Sequence, residues 1–334
     1  LDLFRLTKSL IDIPSVTGNE GPLADFLARF LEEEGFRVRT QDIDAGRRNL
    51  LAVMEESPAV ILCTHLDTVP PWFGASEDGL HIYGRGACDA KGIMAAMITA
   101  AAGLRDEGTR AIGLLFVVGE ETDSIGAQTA NGLRPGSRFL IVGEPTRNKL
   151  ATAHKSVLTL TLTAAGKTGH SAYPELGESA VLKLLDVIDD IRRIEFGSDP
   201  VLGPTLMNIG RIEGGTAPNV IPGSASAVLS FRSGSSPDLV LSRVEAAASG
   251  RAEIAVTAKS EPQVLFTVPG IEQEVVPFGT DIPYLKSFGR PLLLGPGSVL
   301  DAHTEKEKVE KKQLEEAVAI YQRLVRTLLE VRER

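Results

Sequence analysis

Short apolar runs alternate with amphipathic stretches through the first half of the chain. Asn49 to Met54, Ala59 to Cys63, Ile112 to Val118 and Phe139 to Val142 are runs of strand length bounded by polar residues, and they predict buried strands. Leu23 to Glu34 carries apolar residues at helical spacing (Leu23, Phe26, Leu27, Phe30, Leu31) and is closed by Gly35. Ile93 to Leu104 predicts a second helix, lying in sequence between two of the strands. Strand and helix in alternation predict an α/β domain with a mostly parallel sheet covered by helices on both faces.

From about residue 156 the pattern changes. Val157 to Thr163 alternates strictly, as expected of a strand with one face buried. It is followed by a helix at Ser179 to Ile194, strands at Leu206 to Ile212 and Ala225 to Phe231, a helix at Pro237 to Ala248 and a strand at Ala252 to Ala258. That β-α-β-β-α-β order predicts a ferredoxin-like α+β domain. A buried strand returns at Pro291 to Leu294, and Glu307 to Glu330 reads as a final amphipathic helix. The expected organisation is therefore a catalytic domain of residues 1–154 and 263–334, with residues 155–262 inserted as a lid or dimerisation domain.

The chain has 334 residues, 43% hydrophobic and 24% charged, with a formal net charge of −9. An acidic balance argues against nucleic acid and anionic membrane surfaces as partners. The opening residues hold no long apolar segment and the Ile93 to Leu104 stretch is too short to span a bilayer, so no targeting or anchoring segment is expected. A first residue of Leu rather than Met points to trimming. Two cysteines, Cys63 and Cys88, cannot build a disulfide framework, and a reducing, cytoplasmic location is expected.

In open α/β sheets ligands bind beyond the carboxyl ends of the strands. His65 and Asp67 follow one predicted strand, Glu120 and Glu121 a second, Glu144 a third, and His303 follows the Pro291 strand through a Gly-Pro-Gly turn. Asp89 directly precedes the Ile93 helix. So many carboxylates at one sheet edge demand cations, and carboxylate with imidazole suits zinc, cobalt or manganese. The number of acids points to two divalent ions sharing a bridging carboxylate.

His65-Leu-Asp67-Thr-Val-Pro, Tyr83-Gly-Arg-Gly-Ala-Cys-Asp89-Ala-Lys-Gly92, Glu120-Glu121, Gly143-Glu144-Pro145-Thr146, Gly169-His170-Ser-Ala-Tyr-Pro174, Asn219-Val-Ile-Pro-Gly223 and Ala302-His303-Thr304 occur in this order. The set resembles the signature of the acetylornithine deacetylase, succinyl-diaminopimelate desuccinylase, aminoacylase and carboxypeptidase G family of dinuclear zinc hydrolases. The resemblance implies one metal on His65 and Glu144, a second on Glu121 and His303, and Asp89 as bridge. It implies that Asp67 orients the His65 imidazole, that Glu120 is the general base, and that a metal-bridging hydroxide attacks the amide. His170 would donate to the oxyanion from the partner subunit of a homodimer formed through the lid domain. Arg232, Asn219, Gly279 and Thr280 would bind the substrate, Arg232 through its carboxylate.

The resemblance is closest in character to acetylornithine deacetylase. The expected substrate is thus an N-acyl-L-amino acid such as N-acetylornithine or N-acetylcitrulline, with a place in arginine biosynthesis. Asp281, after Gly279-Thr280, would suit a cationic side chain such as ornithine's. A metallo-carboxypeptidase or dipeptidase of the same fold, and a non-catalytic binding or regulatory homologue, are the alternatives. His81 and His154 read as ordinary histidines, and Cys88, beside acids that disfavour a thiolate, reads as packing.

Overall fold

The computed structural model describes residues 1–331. Along the chain run α1 (Leu3–Ile11), α2 (Gly21–Glu33), β1 (Arg37–Asp44), β2 (Arg47–Val53), β3 (Val60–His65), α3 (Lys91–Asp106), β4 (Ile112–Val117), α4 (Ile125–Ala130) and β5 (Phe139–Val142). Then come β6 (Ser156–Ala165), α5 (Ala180–Arg192), β7 (Leu206–Gly214), β8 (Ser224–Ser233), α6 (Pro237–Ala248), β9 (Glu253–Ser260), β10 (Arg290–Leu293) and α7 (Lys311–Glu330). Two compact units result: residues 1–152, 265–274 and 280–331 form one, and residues 153–264 with 275–279 form the other.

The first unit is built on a six-stranded sheet of order β1-β2-β4-β3-β5-β10. β4, β3, β5 and β10 are parallel, whereas β2 runs antiparallel to both β1 and β4. The chain leaves β3 through α3 to β4 on one side, then crosses by α4 to β5 on the other. The two connections thus leave neighbouring strands in opposite directions, which makes the carboxyl end of β3 a topological switch point, and right-handed crossovers would put α3 and α4 on opposite faces. Every residue of β3, β4 and β5 is buried, which is why their sequences are continuous apolar runs rather than alternating ones. α3 is buried almost all round, with small residues (Ala95, Ala96, Ala100, Ala101) among its buried positions, and it packs against α1 and α7. α2 ends as its Gly35 predicts: at φ +82° Gly35 donates to Glu32 O at 2.9 Å and Phe36 to Leu31 O at 2.9 Å, a Schellman closure.

The second unit has the ferredoxin-like sheet order β7-β8-β6-β9, all antiparallel. Alternate residues of β6 and β8 (Leu158, Leu160, Leu162, Ala227, Leu229, Phe231) meet the apolar stripes of α5 and α6. The alternation in the sequence is thus a sheet with helices on one face only.

Four elements differ from expectation. The last helix begins at Lys311, not Glu307, because residues 308–310 form a strand against His81–Tyr83 with Val309 opposite Ile82 in a small core. β1 is a charged, largely exposed edge strand whose identity comes from pairing with β2, so no apolar period marks it. α1 and α4 are short helices that the apolar runs do not announce. Among the described residues no helix is long and apolar enough to cross a membrane.

Candidate metal centre

The parallel strands deliver their polar ends to one edge. β3 ends in His65 and β5 runs into Gly143 and Glu144. β4 runs into the turn of Gly119 (φ +78°), whose carbonyl accepts from Ser124 N at 2.7 Å and so folds Glu120 and Glu121 back over the edge. After β10 the chain turns at Gly297 (φ +85°), where a Cβ would lie 2.4 Å from Cys88 Cβ, so only glycine fits. His303 follows in the left-handed region at φ +63°, an uncommon conformation for a residue with a side chain.

Asp89 lies at the centre. His65 Nε2 is 3.0 Å from its Oδ1, and His303 Nε2 is 3.3 Å from its Oδ2 and 2.9 Å from Glu121 Oε1. The two oxygens of one carboxylate thus face two different imidazoles. Ligand atoms of His65, Asp89 and Glu121 lie within 4.8 Å of one another, a spacing compatible with metal binding around the Asp89 carboxylate. Glu144 is 5% exposed and close enough to Glu120 and Asp89 to be repelled by both.

The electrostatics also fit metal. Burial holds the Glu120 and Glu144 carboxyls well above the usual carboxylate range, against the pull of His65 and with further repulsion from neighbouring acids. Burial raises Glu121 as well, despite its bond to His303. Burial opposes charge on His65, yet Asp67 and Asp89 hold its imidazole well above the ordinary value, and Asp89 and Glu121 raise His303 to about 10. Buried acids in excess of bases, with imidazoles between them, form a donor set suited to divalent cations.

Asp67 acts through two contacts. Its backbone carbonyl is 3.0 Å from His65 Nδ1, closer than its carboxylate Oδ1 at 3.5 Å. The carboxylate accepts from Glu120 N and Glu121 N, both at 3.1 Å, and from Thr17 Oγ1 at 2.8 Å. It therefore orients the loop carrying the two glutamates as well as the imidazole.

The remaining predicted residues divide between the units. Thr280 lies in the first unit and is buried; its hydroxyl accepts from Ile282 N at 3.2 Å. His170, Asn219, Arg232 and Gly279 belong to the second unit. His170 is exposed, pairs in an isolated bridge with Val220 and stacks edge-on to Tyr173, with its Nδ1 accepting from Ala172 N at 3.2 Å. An accepting Nδ1 puts the proton on Nε2 and makes that atom a donor. Asn219 is exposed, and its carbonyl accepts from Ser171 N at 3.0 Å. A Cβ at Gly279 would lie 2.5 Å from Val157 Cγ2 and 3.3 Å from Arg232 Nη1, so Gly279 leaves room for both side chains.

Asp281 is placed differently from expectation. It is 2% exposed, and burial raises its carboxyl to about 7, against a bond to Ser124 and the pull of His65. A carboxyl held up near 7 by burial carries less negative charge toward a substrate ammonium than an exposed acid would, which weakens the support that Asp281 gives to ornithine. His154 is buried in the second unit, where burial lowers its pKa. His81 lies against Tyr83 with ring centroids 5.8 Å apart and the planes tilted by 49°. Both thiols are buried and pushed well up, Cys88 by its acidic neighbours as well.

Sequence reasoning missed Glu307. Its carboxylate is wholly buried, accepts from Cys88 N and Asp89 N at 3.2 Å each and pairs with Arg85 Nη1 at 2.8 Å. The arginine between the glycines of the Asp89 motif was the available signal, since a buried Arg requires an acid.

A switch-point cluster of His and carboxylates on an α/β sheet, joined to a ferredoxin-like insertion, defines a metallohydrolase architecture. The family model for peptidase family M20/M25/M40 matches residues 61–327, and the chain belongs to that family. It is 38% identical over 336 residues to a peptidase M20 domain-containing protein of Schizosaccharomyces pombe, covering 97% of this chain and 84% of that protein. It is 37% identical over 377 residues to a probable carboxypeptidase of Emericella nidulans, covering 97% and 89%. Among solved structures, a tripeptidase from Staphylococcus aureus superposes with a TM-score of 0.81 at 22% identity over 98% of this chain and 97% of that one, a likeness of fold.

Proposed function

We propose that the protein hydrolyses the amide bond that joins the C-terminal residue of a short peptide, with two divalent metal ions as cofactor. The observation that carries this reading is Asp89, whose Oδ1 and Oδ2 face His65 and His303 separately. His65 and Glu144 would hold one ion, Glu121 and His303 the other, with Asp89 between them. Bound there, the ions would act as Lewis acids toward the amide carbonyl and acidify water.

The chain's own residues supply the rest. Glu120, tied at its backbone to Asp67 and not needed as a ligand, takes the proton from attacking water and returns it to the leaving amine. His170, a donor at Nε2, stabilises the oxyanion, in keeping with the family resemblance. Arg232 binds the free carboxylate next to the scissile bond. A peptide substrate is favoured over an N-acyl amino acid because a relative 37% identical is named a probable carboxypeptidase and Asp281 is buried.

The test is a substrate panel with added zinc, cobalt or manganese: dipeptides and tripeptides with free and amidated C-termini, beside N-acetylornithine, N-acetylcitrulline and N-succinyl amino acids. Cleavage of the free peptides, with amidated ones resistant, is expected. Hydrolysis confined to the N-acyl amino acids would replace the peptide reading by the deacylase one. Hydrolysis of nothing under any metal would leave a binding protein.

A further inference from the structure

Arg85 and Glu307 form an ion pair that is almost completely removed from solvent, at 1% and 0% exposure. A buried ion pair adds little net stability over an apolar substitute, because desolvation offsets the attraction. Its value must then lie in the geometry it imposes. Glu307 Oε2 meets Arg85 Nη1 at 2.8 Å, and Oε1 accepts from the backbone of both Cys88 and Asp89. Its own carbonyl accepts from Gly84 N at 3.1 Å. Arg85 is fixed in turn by Pro71 O at 3.1 Å and by the ring of Phe73 at 5.0 Å. One side chain thus fastens both ends of the 84–89 loop, and it stands four residues beyond His303 on the chain segment that delivers that imidazole.

We propose that Glu307 is a positioning residue that sets the carboxylate of Asp89 at bridging distance from His303, joining the two loops that share the metal pair. This rests on the dinuclear reading above. Glu307 itself contributes no ligand atom. Its backbone bonds to residues 88 and 89 fix where the Asp89 side chain starts, and its place after His303 ties the second loop to the same anchor.

The test is cobalt(II) titration of the full chain by calorimetry, followed by the d–d absorption spectrum, for the parent and for Glu307→Gln. The amide keeps the volume of the carboxylate but cannot accept from the Asp89 loop and from Arg85 together. The expected result is a folded protein that binds its first cobalt near parental strength and its second about 10- to 100-fold more weakly, with an altered spectrum. Should Glu307→Gln fail to fold, Glu307→Asp, which keeps the charge but is too short to reach both loops, takes its place with the same expectation. A folded variant with a lower melting temperature but both cobalt steps and the spectrum unchanged would reduce Glu307 to a structural role and overturn the proposal. A parent that binds no cobalt would overturn the dinuclear reading itself, so the two failures are told apart.

Discussion

Asp67 Oδ1 accepts a hydrogen bond from the backbone N–H of Glu120 at 3.1 Å. The residue that follows one strand end thereby fixes the loop that follows the neighbouring strand. His65, on one side of Asp67, and Glu121, whose N–H donates to its Oδ2 at 3.1 Å, are held by the same residue. Removing the carboxylate with Asp67→Ala loosens a proposed ligand of each ion at once. Metal affinity is expected to fall about 10- to 100-fold, measured by competition with a chelator. Unchanged affinity would mean that the backbone carbonyl of Asp67 alone suffices to orient His65.

Glu120 and Glu121 are neighbours in sequence with different surroundings. Glu121 bonds to His303 at 2.9 Å, whereas the carboxyl of Glu120 is held up by burial and by its acidic neighbours. Glu120→Gln should retain bound metal and lose about 10²- to 10⁴-fold in kcat. Metal analysis alongside steady-state kinetics checks both halves, and loss of metal together with kcat would make Glu120 a ligand instead of a base.

Gly143 precedes Glu144 for a steric reason. A Cβ there would lie 2.3 Å from Ile93 Cγ2 and 2.6 Å from Met97 Cε, both on α3 against the sheet. Gly143→Ala must push α3 away or displace the end of β5. A loss of about 1–3 kcal/mol is expected from overpacking, read from urea unfolding. An unchanged unfolding midpoint would show that the Met97 side chain yields without cost.

Asp281 gives a pH dependence with a definite sign. Its folded pKa of about 7 lies above the ordinary 3.8, so the group contributes stability below about pH 4 that is lost as the pH rises through 7. Asparagine cannot ionise. In metal-stripped protein, Asp281→Asn should therefore gain on the parent as the pH rises from 4 to 7, by at most about 1.4 kcal/mol per pH unit. Parallel melting curves for the two proteins across that range would show that Asp281 is not raised.

Much of this site is legible along the chain because strand ends in a parallel sheet share an edge. Once Ala59 to Cys63, Ile112 to Val118 and Phe139 to Val142 are read as buried strands, His65, Glu120, Glu121 and Glu144 must fall near one another. Alternation in β6 likewise announces a sheet with one buried face, and Gly35 announces the end of α2. These are local signals, set by the period of burial and by the conformations open to each residue type.

What local signals do not carry is the partner of a residue far away in sequence. Residues 308–310 have helical company downstream, and only pairing with His81–Tyr83 makes them a strand. Glu307 reads as the first residue of the last helix until Arg85, more than two hundred residues earlier, is brought to 2.8 Å. Asp281 reads as an acid beside the substrate until the packing of the first unit closes over it. The sequence by itself determined most of the buried strands and amphipathic helices, the split into an α/β part and a ferredoxin-like insertion, and the residue types that call for metal. Tertiary structure decided which carboxylates are buried, and burial is what turns an acid from a surface charge into a shifted, shape-fixing group, because its cost depends on neighbours that only the fold assembles.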